Sequence, residues 1–404
     1  LNQDIVDLGT INVTASKITP MESMAQIDVK VRPVKTSQEV LRIVPGLFIA
    51  QHAGGGKSEQ IFLRGFDADH CTDVNISVDG IPVNMVSQAH GQGYADLHFI
   101  IPELVREVDF GKGPYYADYG DFSTAGYVSF KTMNTLKNSL IKVEGGSFNT
   151  TRIVGLFNLL SKQMEVNGKS AYVALENYNT DGPFDSPQNF NRMNMFARFN
   201  NIIDRYNMFT LTASLFNSKW DQSGQIPQKS IDDGIINRWG SIDPTEGGNT
   251  QRINFIAKSV HQLHNSAMFC NQLYYTHYTF DLYSNFTFYL NNPVHGDQIN
   301  QKEYHNLYGY TGKYTKSHSL KKNSTIDYEL GGGFRYDDIT NSKLLNTYKR
   351  FTVLDTFNIG DITELNINLY GKLNWTINKW FINIGLRFDN FKFQYSDKKT
   401  AEYY

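Results

Sequence analysis

The stretch "FTLTASL", residues 209–215, alternates strictly between apolar and hydroxyl-bearing side chains. Phe209, Leu211, Ala213 and Leu215 would share one face of a β-strand, because successive side chains of a strand point to opposite faces. A period of two therefore predicts a strand that lies between two different surroundings, and it argues against a helix.

Comparable alternating stretches follow one another from residue 135 to the end, roughly twelve in all and mostly longer than the average soluble strand of about six residues. This many repeats predict one large sheet. The connections differ in length: "GGSFNTT", residues 145–151, is short, whereas residues 221–251 form a long polar run. An outer-membrane β-barrel has short turns at one end and longer loops at the other.

Aromatic residues gather near the ends of these stretches, as in "YYTHYTFDLYSNFTFYL", residues 274–290. The chain contains 24 Tyr and 27 Phe among 404 residues. A membrane barrel carries aromatic girdles where lipid meets water. A soluble β-sandwich would also alternate, but strands this long are unusual there. We therefore favour the membrane barrel.

The charge of the chain is balanced, with 38 basic and 40 acidic residues and a formal net charge of -2. Nothing in this balance favours binding to nucleic acid or to an anionic membrane surface. The 2 cysteines are too few for a disulfide scaffold, and we assign structural roles to Cys71 and Cys270.

The residues before 135 have a different sequence pattern, with short apolar runs such as "LRIVPGLFIA" between turn-forming residues. This pattern predicts a compact α+β domain. In "TSQEVLRIVPG", residues 36–46, Thr36 or Ser37 can cap a short helix that the following Pro-Gly pair ends.

Four motifs between Glu39 and Thr132 carry a family resemblance when taken in order. They are "VLRIVPGLFI", "QIFLRGF", "NISVDGIPVN" and "IPELVREVDFGKGPYYADYG". Together they resemble the plug domain of TonB-dependent outer-membrane receptors. The chain departs from the family pattern after the last motif, where "DFSTAGYVSF" replaces a run of small residues with a double glycine.

The resemblance implies a mainly β fold with an N-terminal α+β plug domain inside a large antiparallel transmembrane β-barrel of the 22-stranded class. We expect a periplasmic arm over residues 1–18, the plug over 19–134 and the first part of the barrel over 135–404. Roughly twelve strands cannot close such a barrel without leaving unpaired backbone groups in lipid. We therefore expect the barrel to be incomplete in this chain.

The segment "LGTINVTAS", residues 8–16, resembles the TonB box of these receptors. The resemblance implies that it adds as a strand to the energy-coupling partner, with main-chain hydrogen bonds supplying affinity. The alternative is a frayed terminus that binds nothing. The predicted contact residues are Thr10, Ile11, Asn12, Val13 and Thr14.

The function that the resemblance implies is TonB-dependent active import of a scarce nutrient across the bacterial outer membrane. The cargo could be a ferric siderophore, haem, cobalamin, a metal ion or chelate, an oligosaccharide or a peptide, and a metal-containing cargo is slightly favoured. No enzyme activity and no resident cofactor are required. The implied partners are TonB with its inner-membrane complex, outer-membrane lipids and lipopolysaccharide, the nutrient, and a surface lipoprotein. The alternatives are a passive porin and a structural component of a larger surface assembly.

Histidines and carboxylates are dense in two plug stretches, "FDADHCTD" (residues 66–73) and "MVSQAHGQGYADLHF" (residues 85–99). Imidazole favours copper or zinc, and carboxylates suit harder ions. The candidate metal ligands are His90 and His98. The alternative is that both histidines make hydrogen bonds within Gly-rich loops. The substrate-binding candidates on plug loops are Asp67, Asp69, His70, His90, Tyr94, Asp96 and His98.

Two further patterns are excluded by their spacing. "QHAGGGKS", residues 51–58, ends like a phosphate-binding loop, but Gln51 occupies the position of the first glycine that this motif requires. The aspartate-rich run lacks the glycine and the distal glutamate of an EF-hand. We therefore predict neither nucleotide binding nor an EF-hand calcium site.

Overall fold

A computed structural model describes residues 23–25, 38–51, 55–68, 71–263, 267–321 and 324–399. Two bodies of structure are visible in these ranges, a compact N-terminal domain and one large antiparallel sheet. Among the residues that the structure describes, no helix is both long and apolar enough to cross a membrane.

The large sheet, which we call the wall, contains eleven strands that pair in chain order from β9 to β19. Every neighbouring pair is antiparallel. The sheet is open in the described part of the chain, with β9 and β19 as its two edges. The strands are β9 (Leu140–Gly146), β10 (Thr150–Asn158), β11 (Lys169–Thr180), β12 (Phe190–Ile202), β13 (Asn207–Asp221), β14 (Gly247–Gln262), β15 (Met268–Ser284), β16 (Ile299–Lys321), β17 (Ser324–Tyr348), β18 (Thr352–Ile377) and β19 (Trp380–Asp397).

The sequence prediction of a large alternating sheet is confirmed, although the described wall has eleven strands where we expected about twelve. In β13 the hydroxyl residues Thr210 and Thr212 are buried, whereas Leu211 is 44% exposed. The apolar side chain points outward because the inward face is covered by the N-terminal domain. Such an outward apolar face is typical of a barrel that meets lipid.

The wall strands lengthen steadily along the chain, from 7 residues in β9 to 26 in β18. Because each strand reverses direction, alternate connections lie at the same end of the wall. Residues 222–246 and 285–298, the long connections, share one end with the 349–351 turn, and we call this the loop end. The opposite end includes the tight turns 203–206 and 378–379. Short α-helices Lys162–Val166 and Gln228–Asp232 lie within connections.

The N-terminal domain, here called the plug, contains two small sheets. Five strands pair in the order β1-β7-β8-β5-β6, and β5 lies parallel to β8; a second sheet has the order β2-β3-β4. The strands are β1 (Ser23–Ala25), β2 (Leu47–Ala50), β3 (Gln60–Leu63), β4 (Phe66–Ala68), β5 (Val74–Val78), β6 (Ile81–Pro82), β7 (Val105–Lys112) and β8 (Gly126–Thr132).

The short helix predicted within residues 36–46 is present as a 3-10 helix, Gln38–Ile43, in which Val40 and Leu41 are fully buried. A second 3-10 helix, Pro102–Leu104, leads into β7. The apolar core of the plug gathers residues from both sheets and from the first helix. A mixed sheet with short helices accords with the expected α+β plug.

Each of the eleven wall strands touches the plug. Ten do so through a hydrogen bond or an ion pair, and β13 does so through Trp220, which lies against Gly56. Eleven strands about 4.8 Å apart would span roughly 50 Å if flat, so a sheet with this contact pattern must wrap around the plug. The ten polar contacts come from Lys142, Arg152, Tyr172, Arg198, Arg252, Gln272, Gln301, Arg335, Lys372 and Arg387.

Candidate functional site at the plug–wall contact

Asp79 begins the Asp-Gly turn between β5 and β6 and forms a buried ion pair with the wall. Arg198 of β12 donates to its carboxylate at 2.7 Å, and Thr132 donates from both its backbone and its hydroxyl group. Burial alone would raise the pKa of Asp79, but the Arg198 charge and these hydrogen bonds outweigh burial and lower it. The turn is therefore held to the wall in its charged form.

Glu103 forms a second ion pair between plug and wall. Both of its carboxylate oxygens accept hydrogen bonds from Arg152 of β10, at 2.7 and 2.6 Å, and Lys142 donates at 3.2 Å. Burial opposes ionisation, yet the bonds and charge of Arg152 prevail and lower the pKa of Glu103 to about 2. Two-point contacts of this kind fix orientation as well as distance.

The wall strands β16 and β17 hold the plug differently, through its main chain. Arg335 donates to the carbonyl oxygen of Asn84 at 2.9 Å. Glu303 accepts from the backbone N–H of Ala89 at 2.6 Å, and Gln301 donates to the carbonyl oxygen of Ala89 at 2.9 Å. Wall side chains therefore bond the plug main chain at both ends of residues 84–89, and two of them, Gln301 and Glu303, are buried.

These wall groups are connected to each other behind the plug. His305 Nε2 lies 2.7 Å from Asp337, which also accepts two hydrogen bonds from Arg335. His305 Nδ1 lies 3.7 Å from a Glu303 oxygen. All three acid and imidazole side chains are fully buried. Buried charged groups need partners of opposite charge, and here Asp337 is paired with both His305 and Arg335.

The side-chain amide of Asn84 joins several plug segments at the same place. It accepts from Ile76 N at 2.7 Å and donates to the carbonyl oxygens of Cys71 and Val74, both at 2.9 Å. Gly93 O lies 3.4 Å from the same amide nitrogen. The two stretches that sequence analysis selected, residues 66–73 and 85–99, therefore meet at Asn84.

The predicted site residues Asp96 and His98 are buried at the plug–wall contact. His98 Nδ1 lies 2.8 Å from Asp96, and Gln38 Nε2 approaches the same ring. Asn194 of β12 donates to the carbonyl oxygen of His98, and Phe216 stacks on its ring. In this structure both side chains face the plug interior and the wall.

His90 and Tyr94 lie near each other, with ring centroids 5.9 Å apart. His90 is half-buried, and its Nδ1 lies 2.8 Å from Gln301 of β16. Tyr94 is fully buried and accepts a hydrogen bond from Ser58 N at 2.9 Å. Burial raises the pKa of Tyr94 well above its usual value, so the phenol remains protonated.

The remaining predicted residues divide into exposed and undescribed ones. Asp67 is exposed on β4 and accepts from Gln60 at 2.7 Å. Asp69 and His70 lie outside the described residues, as do Thr10, Ile11, Asn12, Val13 and Thr14. Within the described ranges, no group of three or more His, Cys, Asp or Glu side chains is arranged to hold a metal ion. Metal binding by His90 and His98 stays a prediction.

Sequence reasoning missed the buried wall arginines, among them Arg198, which pairs with Asp79 of the plug. In "NRMNMFARF", residues 191–199, Arg192 and Arg198 alternate with methionines 193 and 195. The arginines are buried and the methionines are more than 40% exposed. Arginines and apolar residues occupy opposite faces of this strand, and that alternation in the sequence could have predicted that the arginines face inward.

Three connections contact each other at the loop end of the wall. Arg350, in the 349–351 turn, donates to the carbonyl oxygens of Thr245 and Glu246 and to Asp221 at 2.7 Å. Gln298 donates to Asp243 at 3.0 Å. Burial raises the pKa of Glu246 to about 7. The connections at the loop end are therefore tied to each other by hydrogen bonds.

A compact domain enclosed by a curved antiparallel wall is the architecture of a plugged β-barrel. The family model for the TonB-dependent receptor plug domain matches residues 15–127. The matched residues cover most of the plug and none of the wall strands.

Solved structures with the same fold include three receptors. Unliganded ferric citrate transporter FecA is 16% identical, with a TM-score of 0.78 over 94% of this chain and 57% of that chain. Siderophore receptor PiuA from Acinetobacter baumannii is 16% identical, with a TM-score of 0.69 over 94% and 58%. The ferripyoverdine receptor of the outer membrane of Pseudomonas aeruginosa is 12% identical, with a TM-score of 0.66 over 89% and 50%. This chain thus spans between 50% and 58% of these structures.

Proposed function

We propose that the protein is an outer-membrane importer that takes up a metal chelate or siderophore by TonB-dependent transport. The observation that carries this proposal is the contact of all eleven described wall strands with one plug. A lumen filled in this way admits a ligand only if the plug rearranges, and rearrangement requires work. The ferric citrate and siderophore receptors that share the fold support a ferric chelate as cargo.

The arm is the proposed route by which energy from TonB reaches the plug. Residues 10–14 would pair as a strand with TonB, and β-augmentation would transmit a pull to the plug. The first described helix, Gln38–Ile43, follows the arm in sequence and contacts His98 through Gln38. A pull would therefore reach the residues that join plug and wall. The reaction requires no covalent step, so the protein would act as a transporter and not as an enzyme.

Uptake of radioactive iron by cells that carry the full-length receptor tests the proposal. The probes are ferric citrate, a ferric trihydroxamate and a ferric tris-catecholate. We expect saturable uptake of at least one chelate, lost both on deletion of residues 8–16 and on collapse of the proton-motive force. A variant in which residues 8–16 are replaced by a scrambled sequence of the same composition controls for arm length.

The alternatives predict different results from the same experiment. A passive porin would give the same flux with and without residues 8–16. A structural component would give no energy-dependent uptake of any chelate and would purify from native membranes with stoichiometric partners, such as a surface lipoprotein. Either result would overturn the import proposal.

A further inference from the structure

Four hydrogen-bond donor atoms on the plug-facing side of the wall have no protein acceptor within reach among the described residues. They are Trp220 Nε1, Arg192 Nε, Arg252 Nη1 and Tyr278 Oη. All four side chains are at most 1% exposed. Buried donors are nearly always satisfied in native proteins, and an unsatisfied one costs free energy. Four together on adjacent strands call for a functional explanation.

The four residues are arranged in order down the wall. Trp220 lies at the loop end of β13, and Ser218 and Phe216 are the next two plug-facing positions. Arg192 pairs with Ser218 in the register of β12 and β13. Arg252 pairs with Phe216 on one side and with Tyr278 on the other. The donors therefore occupy three successive levels that cover about 14 Å along the strands.

The plug covers these donors in the resting state. Met85 and Tyr94 pack in one cluster with Trp220 and Tyr278. Trp220 also lies against Gly56, where an added Cβ would come within 2.2 Å of the indole ring. The Arg252 guanidinium lies 4.6 Å from the ring centroid of Phe99. A rearrangement of plug residues 82–99 would uncover the lower donors.

The chemistry of the donors selects an oxygen-rich ligand. Arg252 already bonds two neutral oxygen atoms, Asn254 Oδ1 and Pro82 O, each at 2.9 Å, so its remaining N–H groups and its charge are available to an anion. Indole, guanidinium and phenol groups all donate to carboxylate, hydroxamate or catecholate oxygens. Asn194 Oδ1 and Glu303 Oε1, both without a protein donor in the described structure, can accept from ligand hydroxyl groups.

We propose that Trp220, Arg192, Arg252 and Tyr278 form a second binding site on the wall, hidden by the resting plug and used by an anionic, oxygen-rich chelate during passage. This inference rests on the proposed function, because it requires the plug to move and a chelate to pass. The site differs from a surface site at the loop end in that it binds only after the plug has rearranged.

The double variant Trp220→Phe/Tyr278→Phe tests this site. Each change removes a donor that bonds no protein group in the resting structure and keeps an aromatic ring. We measure surface binding in de-energised cells and the maximal uptake rate in energised cells, using whichever of the three ferric chelates the parent imports fastest. We expect an unchanged surface Kd and at least a fivefold lower maximal uptake rate.

Tyr275→Phe on the same strand is the matched control, because its side chain is on the opposite face and its hydroxyl bonds Asn306. An unchanged maximal rate in the double variant, a weakened surface Kd, or an equal loss in the control would overturn the second site. If folding of the double variant is impaired, Tyr278→Phe alone is scored by the same criteria, with twofold loss as the threshold. Absence of chelate uptake by the parent would instead refute the proposed function, and this inference with it.

Discussion

The β10–β12 side of the wall forms ion pairs with charged plug side chains, whereas the β16–β17 side contacts the plug through hydrogen bonds, most of them to its main chain. Glu103 and Asp79 pair with arginines on the first side. On the β16–β17 side, wall side chains form hydrogen bonds with the backbone groups of Asn84 and Ala89. An ion pair depends on one plug side chain and on its charge, but a main-chain contact persists through most plug substitutions. The two sides should therefore respond differently to mutation and pH.

The largest effect is expected from Asp79→Asn, which leaves the buried Arg198 charge without a carboxylate. Breaking a buried pair by removing one partner costs about 3–5 kcal/mol. The free energy of plug unfolding, measured by urea titration with limited proteolysis, should fall by that amount. Asp67→Asn, at an exposed position, is the control. Equal stability of the two variants would show that Asp79 does not anchor the plug.

Acid should release the Glu103 anchor next. Its folded pKa of about 2 lies below the ordinary value of 4.5, so its stabilising contribution is present above about pH 5 and is lost as pH falls towards 2. The difference corresponds to about 3 kcal/mol. Urea midpoints measured from pH 6 to pH 3 should fall less in Glu103→Gln than in the parent. Parallel pH profiles would argue against an ionised Glu103 as an anchor.

Asn84→Ala should have a smaller effect, because it removes bonds inside the plug and retains the wall contact to the Asn84 carbonyl oxygen. Leaving Ile76 N and two carbonyl groups without this partner costs about 2 kcal/mol. Hydrogen exchange should accelerate at residues 71–76. Unaltered exchange there would contradict the role of Asn84 as the joint between the two stretches.

The smallest effect is expected from Gln301→Ala on the main-chain side. It removes the bonds to the Ala89 carbonyl oxygen and to the half-buried His90 ring, which together contribute about 1 kcal/mol. The urea midpoint should decrease slightly, and the pH profile should keep the shape of the parent profile. A loss of stability as large as that of Asp79→Asn would show that the two sides of the wall do not differ in how strongly they hold the plug.

The fold was predictable because strand alternation is local. "FTLTASL" specifies a strand with unlike faces, and the four plug motifs predict the domain inside the wall. The direction of the faces follows from the buried Thr212 and the outward Leu211, which suit a plug-filled lumen and an apolar exterior.

The site was less predictable, because its contacts join residues far apart in the chain. Asp79 lies within a recognised turn motif, but its partner Arg198 is 119 residues away. His98 was selected for its density of neighbouring ligands, and the structure places it among Asp96, Gln38 and a carbonyl contact to Asn194. Local spacing identifies such residues, but only the folded chain shows which surface they face.

The lengthening of the wall strands has a consequence for how the proposed ligand would be retained. The 26 residues of β18 measure about 88 Å along the strand, or roughly 60 Å in height at a tilt of about 45°, whereas the lipid-facing apolar band of such barrels is about 25 Å tall. Much of this strand therefore extends beyond the lipid. If the proposed chelate dissociates from the plug beside this strand, it meets a wall on that side, and its chance of rebinding before escape increases.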